Sequence, residues 1–331
     1  MTNSNKLKCV LATVLCAVCQ LSQAQETKEQ QEPKGKAIIN IFTNLHSGFG
    51  SENDQRGFEL ERSYLGYQYA LPNGLEFKAV MDIGQSDDVN DYERIAYIKN
   101  AQVTWKHKGL TLNGGLIGTT QFKTQEFFWG KRYVMKSFQD EYKFGSSADM
   151  GISAAYKFTP WFAADVIIAN GEGYKKLQVN DGLLYGAGVT FAPLKGLTLR
   201  AYASYNEGAT DELEDITNVN VFAGYANDVF SLGGEYNYLT NAKNIKNHNQ
   251  NGYSAYTTIK LNKNIGIFGR WDYLTSKNDW NKEKDGMAGL IGAEFKFGKY
   301  IKLSPNFRMW SPDADDAKKS YYAYINCSFS I

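Results

Sequence analysis

The sequence predicts an all-β fold, a transmembrane antiparallel up-and-down β-barrel of about 16 strands with a long inward-folded third loop. Apolar and polar residues alternate in short segments along most of the chain. The connections between these segments are short and long in turn. The composition of 22 Tyr, 19 Phe and 31 Gly against 6 Pro suits many antiparallel strands that meet two membrane interfaces.

The N-terminus has the parts of a secretory signal peptide. Lys6 and Lys8 precede an apolar stretch, Cys9 to Cys19, and Ala24 closes a small-residue cleavage site. The apolar stretch is too short for a membrane helix, so we expect residues 1–24 to be removed. A lipoprotein carrying lipid on Cys16 or Cys19 is the alternative, but large residues precede both cysteines. Residues 25–36 are a short polar leader, and residues 37–331 form the predicted barrel.

Cleavage would leave Cys327 as the one cysteine of the mature chain, so neither an internal disulfide nor a cysteine-based metal site is expected. The full chain carries 36 basic and 35 acidic side chains. Loss of Lys6 and Lys8 makes the mature chain almost neutral, which gives no electrostatic reason for binding to nucleic acid. We predict no cofactor.

The predicted strands have one apolar and one polar face. Ile301, Leu303 and Phe307, for example, alternate with Lys302 and Arg308. Segments of this kind begin near Ile38, Gly57, Leu75, Arg94, Leu110, Ala148, Trp161, Gly182, Leu197, Asn218, Val229, Gly252, Ile265, Met287, Ile301 and Ser320. Their spacing allows strands of about ten residues with both connections. A soluble β-sandwich is the alternative, but it would need more aliphatic side chains and would not alternate short turns with long loops.

One segment does not fit the alternation. Between Arg94 and Lys106, Lys99 falls in the same register as apolar Ile95 and Val103. Either a β-bulge lies at this point or the assumed register is wrong.

The polar faces carry many charges that must lie in water. A basic side chain facing lipid near the bilayer midplane costs about 2–4 kcal/mol, so a dozen charges in lipid would unfold the barrel. A closed barrel of about sixteen strands is too wide for side chains to fill, so water enters it. The predicted lumen wall carries Lys78, Asp82, Lys157, Asp165, Arg200, Glu235, Lys260, Arg270, Asp272, Glu294, Lys302 and Arg308.

The segment 118–146 lacks the alternation and mixes aromatic with charged residues. We predict that it folds into the barrel as a constriction loop, although a loop that only caps the rim is the alternative. Its charged residues are Lys123, Glu126, Lys131, Arg132, Lys136, Asp140, Glu141 and Lys143, a slightly positive set. Its aromatic residues Phe122, Phe127, Phe128, Trp129, Tyr133, Phe138 and Tyr142 are predicted to anchor it to the wall. Ser137 to Asp140 resembles a capping box that starts a short helix.

The segment from Gly114 to Gly173, with FFWGKRYV, SSADMGISAAYKFTPW and IIANGEG, resembles the phosphate-selective porin O and P family in its Bacteroidetes form. The resemblance implies a sixteen-stranded outer-membrane barrel, often trimeric, with a folded-in third loop. Members that select phosphate carry an arginine-dense lumen. This chain departs from that pattern, since it has only Arg56, Arg62, Arg94, Arg132, Arg200, Arg270 and Arg308.

We therefore expect a porin in the outer membrane of a Gram-negative bacterium that passes small hydrophilic solutes and ions, with a slight preference for anions. Its expected partners are outer-membrane lipid, lipopolysaccharide and two further copies in a homotrimer. Phosphate selectivity and a non-conducting structural or adhesive barrel are the alternatives. We expect no enzyme, because of the three histidines only His46 is placed for a hydrolase and it has no evident partner. The acidic loops GQSDDVNDYE and SPDADDAKK leave Ca²⁺ binding open, but neither has the EF-hand pattern.

Overall fold

The computed structural model describes residues 32–50, 55–85, 94–178, 181–210 and 212–331. The predicted signal peptide, residues 25–31 of the leader and most of the acidic loop GQSDDVNDYE lie outside these ranges. Within them, no helix has both the length and the apolar character needed to cross a membrane.

Sixteen strands make up nearly all of the regular structure. They are β1 (Lys34–Phe49), β2 (Arg56–Ala70), β3 (Leu75–Gln85), β4 (Arg94–His107), β5 (Leu110–Gly118), β6 (Ala148–Thr159), β7 (Phe162–Ala169), β8 (Leu184–Phe191), β9 (Leu197–Asn206), β10 (Ile216–Ala226), β11 (Phe230–Leu239), β12 (Gln250–Lys260), β13 (Ile265–Ser276), β14 (Gly286–Phe297), β15 (Ile301–Pro312) and β16 (Ser320–Ser330). The third long connection contains two short helices, α1 (Lys123–Trp129) and α2 (Phe138–Glu141), and two 3₁₀ turns lie at Ala242–Asn244 and Lys277–Asp279.

Each strand pairs antiparallel with its neighbours in sequence, and β1 pairs with β16 to close the barrel. Closure leaves no free edge, so every strand finds a backbone partner on both sides. The predicted barrel and its sixteen strands are confirmed. The predicted strand starts agree with the structure to within two residues, except at β1.

The first strand starts earlier than predicted. Lys34 and Lys36 pair with Ala70 and Gln68 of β2, although the sequence pattern assigned both lysines to the leader. Polar side chains do not prevent this pairing, because β2 extends equally far and offers backbone partners to any residue.

A β-bulge lies in β4 where the alternation failed. Val80 of β3 pairs with Asn100 and the next residue, Met81, pairs with Ile98, so Lys99 is the extra residue. Tyr97 and Lys99 are half-buried and Asn100 is buried, whereas Ile98 is exposed on the outer surface. The bulge thus turns Lys99 into the lumen and reverses the alternation between the two halves of the strand.

The outer surface of the barrel is apolar. Large exposed side chains point outwards from strands around the barrel, including Leu65, Ile98, Val166, Val221, Ile267 and Ile291. Aromatic groups mark both ends: Phe158, Trp161, Phe162 and Phe191 cluster beside a short turn, and Tyr236, Tyr253 and Tyr273 lie near the long loops. An apolar band between aromatic girdles is the exterior of a barrel that spans a membrane.

Candidate pore constriction

Loop 3, residues 119–147, lies inside the barrel and is held by arginines of the wall. Arg200 donates a hydrogen bond to the carbonyl oxygen of Thr120 (2.8 Å), and Arg308 donates one to that of Val134 (2.7 Å). Arg270 donates to the carbonyl oxygen of Lys136. Three guanidinium groups from three strands therefore bind the loop backbone along its length, and the inward-folded loop is confirmed.

These contacts correct part of the sequence analysis, which placed the wall charges in lumen water. Arg200, Glu235, Arg270, Asp272 and Glu294 point inwards as predicted, but they are buried beneath loop 3. The loop backbone leaves carbonyl groups without partners in its irregular stretches, and charged donors satisfy them. The alternating pattern identifies inward residues but does not reveal which of them a loop will cover.

The buried wall charges are also paired with each other. Arg200 forms two bonds to Asp165, at 2.7 and 3.0 Å, and Arg270 bonds Asp272 at 2.6 Å. Glu235 accepts a hydrogen bond from Asn237. Pairing matters here because an isolated buried charge costs several kcal/mol.

Aromatic side chains fix the other face of the loop. Trp129 packs against Tyr256 and Phe268, with ring centroids 5.7 and 6.1 Å apart, and Phe128 lies 5.1 Å from Phe222. The other predicted aromatic anchors also pack against the wall or within the loop. Phe127 is the most exposed of them: its ring meets Phe128 edge-on, with centroids 5.9 Å apart, and its side chain is 79% exposed.

Tyr133 anchors the middle of loop 3 to the barrel wall. Its hydroxyl donates to Glu294 (2.7 Å) and lies 2.7 Å from Ser304. Lys131 lies 3.6 Å from the same Glu294 and is buried. Lys131, predicted to be part of the constriction, is therefore turned to the wall. Lys302 lies over the Tyr133 ring at 5.7 Å.

The short helix predicted at Ser137 is present, but the capping box is not formed. Ser137 is the N-cap of α2 in an extended conformation, with no side-chain hydrogen bond. Asp140, the residue expected to close the box, instead pairs with Arg132.

Arg132 is the centre of a charged cluster on the lumen side of loop 3. It pairs with Glu126 (3.3 Å) and Asp140, and donates to the hydroxyl of Tyr64 on β2 (3.2 Å). Burial alone would raise the pKa of Asp140, but Arg132 outweighs it and holds that pKa below its ordinary value. Burial raises the pKa of Glu126, which Arg132 offsets only in part.

Three lysines beside this cluster have no acidic partner within the part of the chain that the structure describes. Lys123 donates to the carbonyl oxygen of Gly118 (3.1 Å), and Lys99 donates to the Ser147 hydroxyl (2.9 Å). Lys78 projects from β3 on the same side of the lumen. Among the described residues, no carboxylate lies within ion-pair distance of any of the three amines. Burial and the charge of Lys78 lower the pKa of Lys123.

The remaining predicted charges of loop 3 lie on the long-loop side of the constriction. Lys136 and Glu141, 4.0 Å apart, line a cavity of about 670 Å³ that Arg132 and Arg308 also border. Lys143 lines a second cavity of about 330 Å³ behind the returning arm of loop 3. Loop 3 therefore brings Lys123, Glu126, Arg132 and Asp140 together. Lys136 and Glu141 share a cavity with Arg132, whereas Lys131 and Lys143 lie apart from the cluster.

Sequence reasoning missed four residues at this site: Arg62, Tyr64, Lys99 and Tyr174. Arg62 pairs with Asp82 at 2.8 Å, and Tyr174, in the long connection between β7 and β8, donates to the same carboxylate. The interrupted alternation was a signal for Lys99. Nothing in the sequence pattern marks Tyr174, because its role depends on where a long loop folds.

The candidates for other chemistry have ordinary surroundings. His46 hydrogen-bonds through Nδ1 to Asn44 Oδ1 (2.8 Å) rather than to a serine. In the described ranges, no three His, Cys, Asp or Glu residues form a group able to hold a metal ion. Asp315, in the described acidic loop SPDADDAKK, pairs with Lys282 at 2.9 Å.

Comparison with known proteins supports the fold. No protein-family model matches the chain, and no curated protein matches its sequence. An anion-selective porin from Comamonas acidovorans is similar with a TM-score of 0.70 and 13% identity, over 91% of this chain and 100% of that chain. The outer membrane channel DcaP of Acinetobacter baumannii reaches 0.68 at 11% identity, over 93% and 100%. OmpF of Salmonella typhi, in complex with daunomycin, reaches 0.72 at 9% identity, over 92% and 100%.

At these identities the likeness concerns the fold. The chain has the closed sixteen-stranded barrel of outer-membrane porins. An even number of antiparallel strands and an apolar exterior are typical of the outer-membrane barrels of Gram-negative bacteria.

Proposed function

We propose that this protein is an outer-membrane porin through which small hydrophilic solutes and ions diffuse passively, with a weak preference for anions. The observation that carries the proposal is a closed barrel, apolar outside and charged inside, whose lumen is narrowed by an anchored loop. A sixteen-stranded barrel is too wide for its own side chains to fill, so water occupies the space that loop 3 leaves.

The anion preference rests on which charges lack partners. The lumen arginines each contact a carboxylate or a loop carbonyl, whereas Lys78, Lys99 and Lys123 have no acidic partner among the described residues. Unpaired ammonium groups beside a narrow aqueous path attract anions and repel cations. Because these few lysines border a path whose other described charges are largely paired, the preference is modest.

Phosphate selectivity has less support. A phosphate filter built on arginine needs guanidinium groups free to bind two oxygens at once. Arg62, Arg132, Arg200 and Arg270 are engaged with carboxylates, and Arg308 bonds Val134, Asn306 and Asn326. The alternative of a non-conducting adhesive barrel is disfavoured because water, rather than side chains, would fill a lumen of this width.

The proposal also covers the membrane partners, the oligomeric state and the export of the barrel. The apolar outer face contacts outer-membrane lipid, the charged long loops meet lipopolysaccharide, and the functional unit is a homotrimer. The signal peptide ending at Ala24 would direct export.

Reconstituted liposomes test this function. Liposomes containing the purified protein should swell in small sugars and progressively less in larger ones, and a KCl gradient should give a reversal potential of anion-preferring sign. Swelling equal to that of protein-free liposomes would reject a diffusion pore. A cation-preferring reversal potential would reject the role of the three lysines.

A further inference from the structure

A second loop reaches into the lumen beside loop 3. Residues 170–178 follow β7 and fold back over the start of β6, where the backbone N–H of Tyr174 donates to Ala148 (3.0 Å) and that of Gly171 to Asp149 (2.9 Å). Gly171 and Gly173 have φ values of +94° and +80°. Side chains rarely adopt this conformation, so the two glycines allow the sharp inward turn.

Tyr174 extends from this turn to the opposite part of the wall. Its hydroxyl donates to Asp82 of β3, which also pairs with Arg62. Its ring meets Tyr97 of β4 edge-on, with centroids 6.4 Å apart. Strand β3 is four positions from β7 around the barrel, so the side chain bridges a corner of the lumen.

Lys99 lies between this tyrosine and a second one. Its ammonium nitrogen is 4.9 Å from the ring centroids of both Tyr64 and Tyr174. Ser147, at the end of loop 3, accepts its hydrogen bond. Two aromatic faces stabilise the cation without supplying a negative charge, and they hold its amine at a fixed position.

The contacts join both loops into one structure. Tyr64 lies beside Lys99 and accepts hydrogen bonds from Arg132 of loop 3. A continuous series of contacts therefore runs from residues 170–178 through Tyr174, Lys99 and Tyr64 to loop 3.

From these contacts we infer that Tyr174 is a specificity-determining residue of the pore. It forms one side of the constriction and holds the Lys99 ammonium group there, where it attracts small anions. The inference rests on the proposed function, since it assigns the size limit and part of the charge selectivity of that same pore. Loop 3 alone does not set the limit, because Tyr174 occupies the corner that loop 3 leaves open.

Planar-bilayer recordings and liposome swelling of the full chain test this role with Tyr174→Ala, Tyr174→Phe and Tyr205→Ala. Tyr174→Ala should raise the single-channel conductance and shift the largest admitted sugar upwards. Tyr174→Phe keeps the ring and should retain the wild-type limit. Tyr205, exposed on the outer face, is the matched control, and its replacement should change neither quantity.

The outcomes separate the inference from the proposed function. A conducting channel in which Tyr174→Ala leaves conductance and sugar limit unchanged overturns the role of Tyr174 and leaves the porin function intact. A wild-type protein that does not conduct overturns the porin function itself.

A second variant covers the case in which Tyr174→Ala does not fold. In a Cys327→Ala background, a bulky thiol reagent should reduce the current through Tyr174→Cys channels and leave the Cys327→Ala parent unaffected. Modification of the new thiol without loss of current would place Tyr174 outside the solute path and overturn the inference.

Discussion

Neutralising Lys123 should weaken anion preference by a predictable amount. Lys123 projects from α1 into the lumen and has no carboxylate partner among the described residues. An anion that passes about 6 Å from its amine gains roughly 0.7 kcal/mol in water, and ~0.1 M salt reduces this to about 0.4 kcal/mol. That energy raises local anion density about twofold and lowers cation density about twofold, so Lys123→Gln should reduce the anion-to-cation permeability ratio about fourfold.

The assay is the reversal potential of single channels across a KCl gradient at neutral pH. Lys263→Gln is the matched control, because Lys263 is exposed in a short turn at the barrel rim. That variant should keep the wild-type ratio. An unchanged ratio in Lys123→Gln, or an equal loss in both variants, would refute the assignment of selectivity to the lumen lysines.

Three further perturbations address the anchoring and titration of loop 3. Arg308→Gln removes the charged hydrogen bond to Val134, worth about 1.5–3 kcal/mol, and should make single-channel current noisier by loosening the loop. Trp129→Ala should lower the temperature of barrel unfolding in detergent, since truncating a buried tryptophan costs about 3–5 kcal/mol. Acidification should protonate Glu126 at a higher pH than an ordinary glutamate, because its pKa is raised. The loss of negative charge beside Arg132 should strengthen anion preference, and Glu126→Gln should reduce this pH dependence.

Matched control variants distinguish these effects from a general disturbance of the fold. Arg56→Gln removes an exposed arginine at the start of β2 and should leave current noise unchanged. Phe127→Ala removes an exposed aromatic residue from the same helix as Trp129 and should leave unfolding near that of the wild type. Equal effects of Phe127→Ala and Trp129→Ala would contradict the packing of loop 3. A pH response of unchanged size in Glu126→Gln would contradict the assigned titration.

Most of the barrel could be predicted from the sequence, because strand geometry imposes a period of two on any sheet with one apolar face. The predicted and observed starts of β3, β4, β5 and β9 coincide. Lys99 shows how a failure of the pattern is itself informative, since the bulge at that position reverses the facing of one half of β4. The extension of β1 to Lys34 was missed because backbone pairing continues beyond the side-chain signal.

The structure of the constriction was harder to predict from the sequence, because it depends on contacts between segments that are far apart in the chain. Inward orientation of Arg200, Arg270 and Arg308 follows from alternation, but their bonds to loop 3 carbonyls do not. Lys131 and Arg132 are neighbours in sequence, yet one faces the wall and the other the lumen. Local sequence does not encode that division, which arises when the loop packs against a closed barrel.

The most direct test of the central claim, a continuous aqueous path inside a membrane-spanning barrel, is the conductance of the purified protein in a planar lipid bilayer. The structure predicts discrete, long-lived current steps that scale with the salt concentration. A correctly folded protein that inserts into the bilayer and passes no current would contradict the claim.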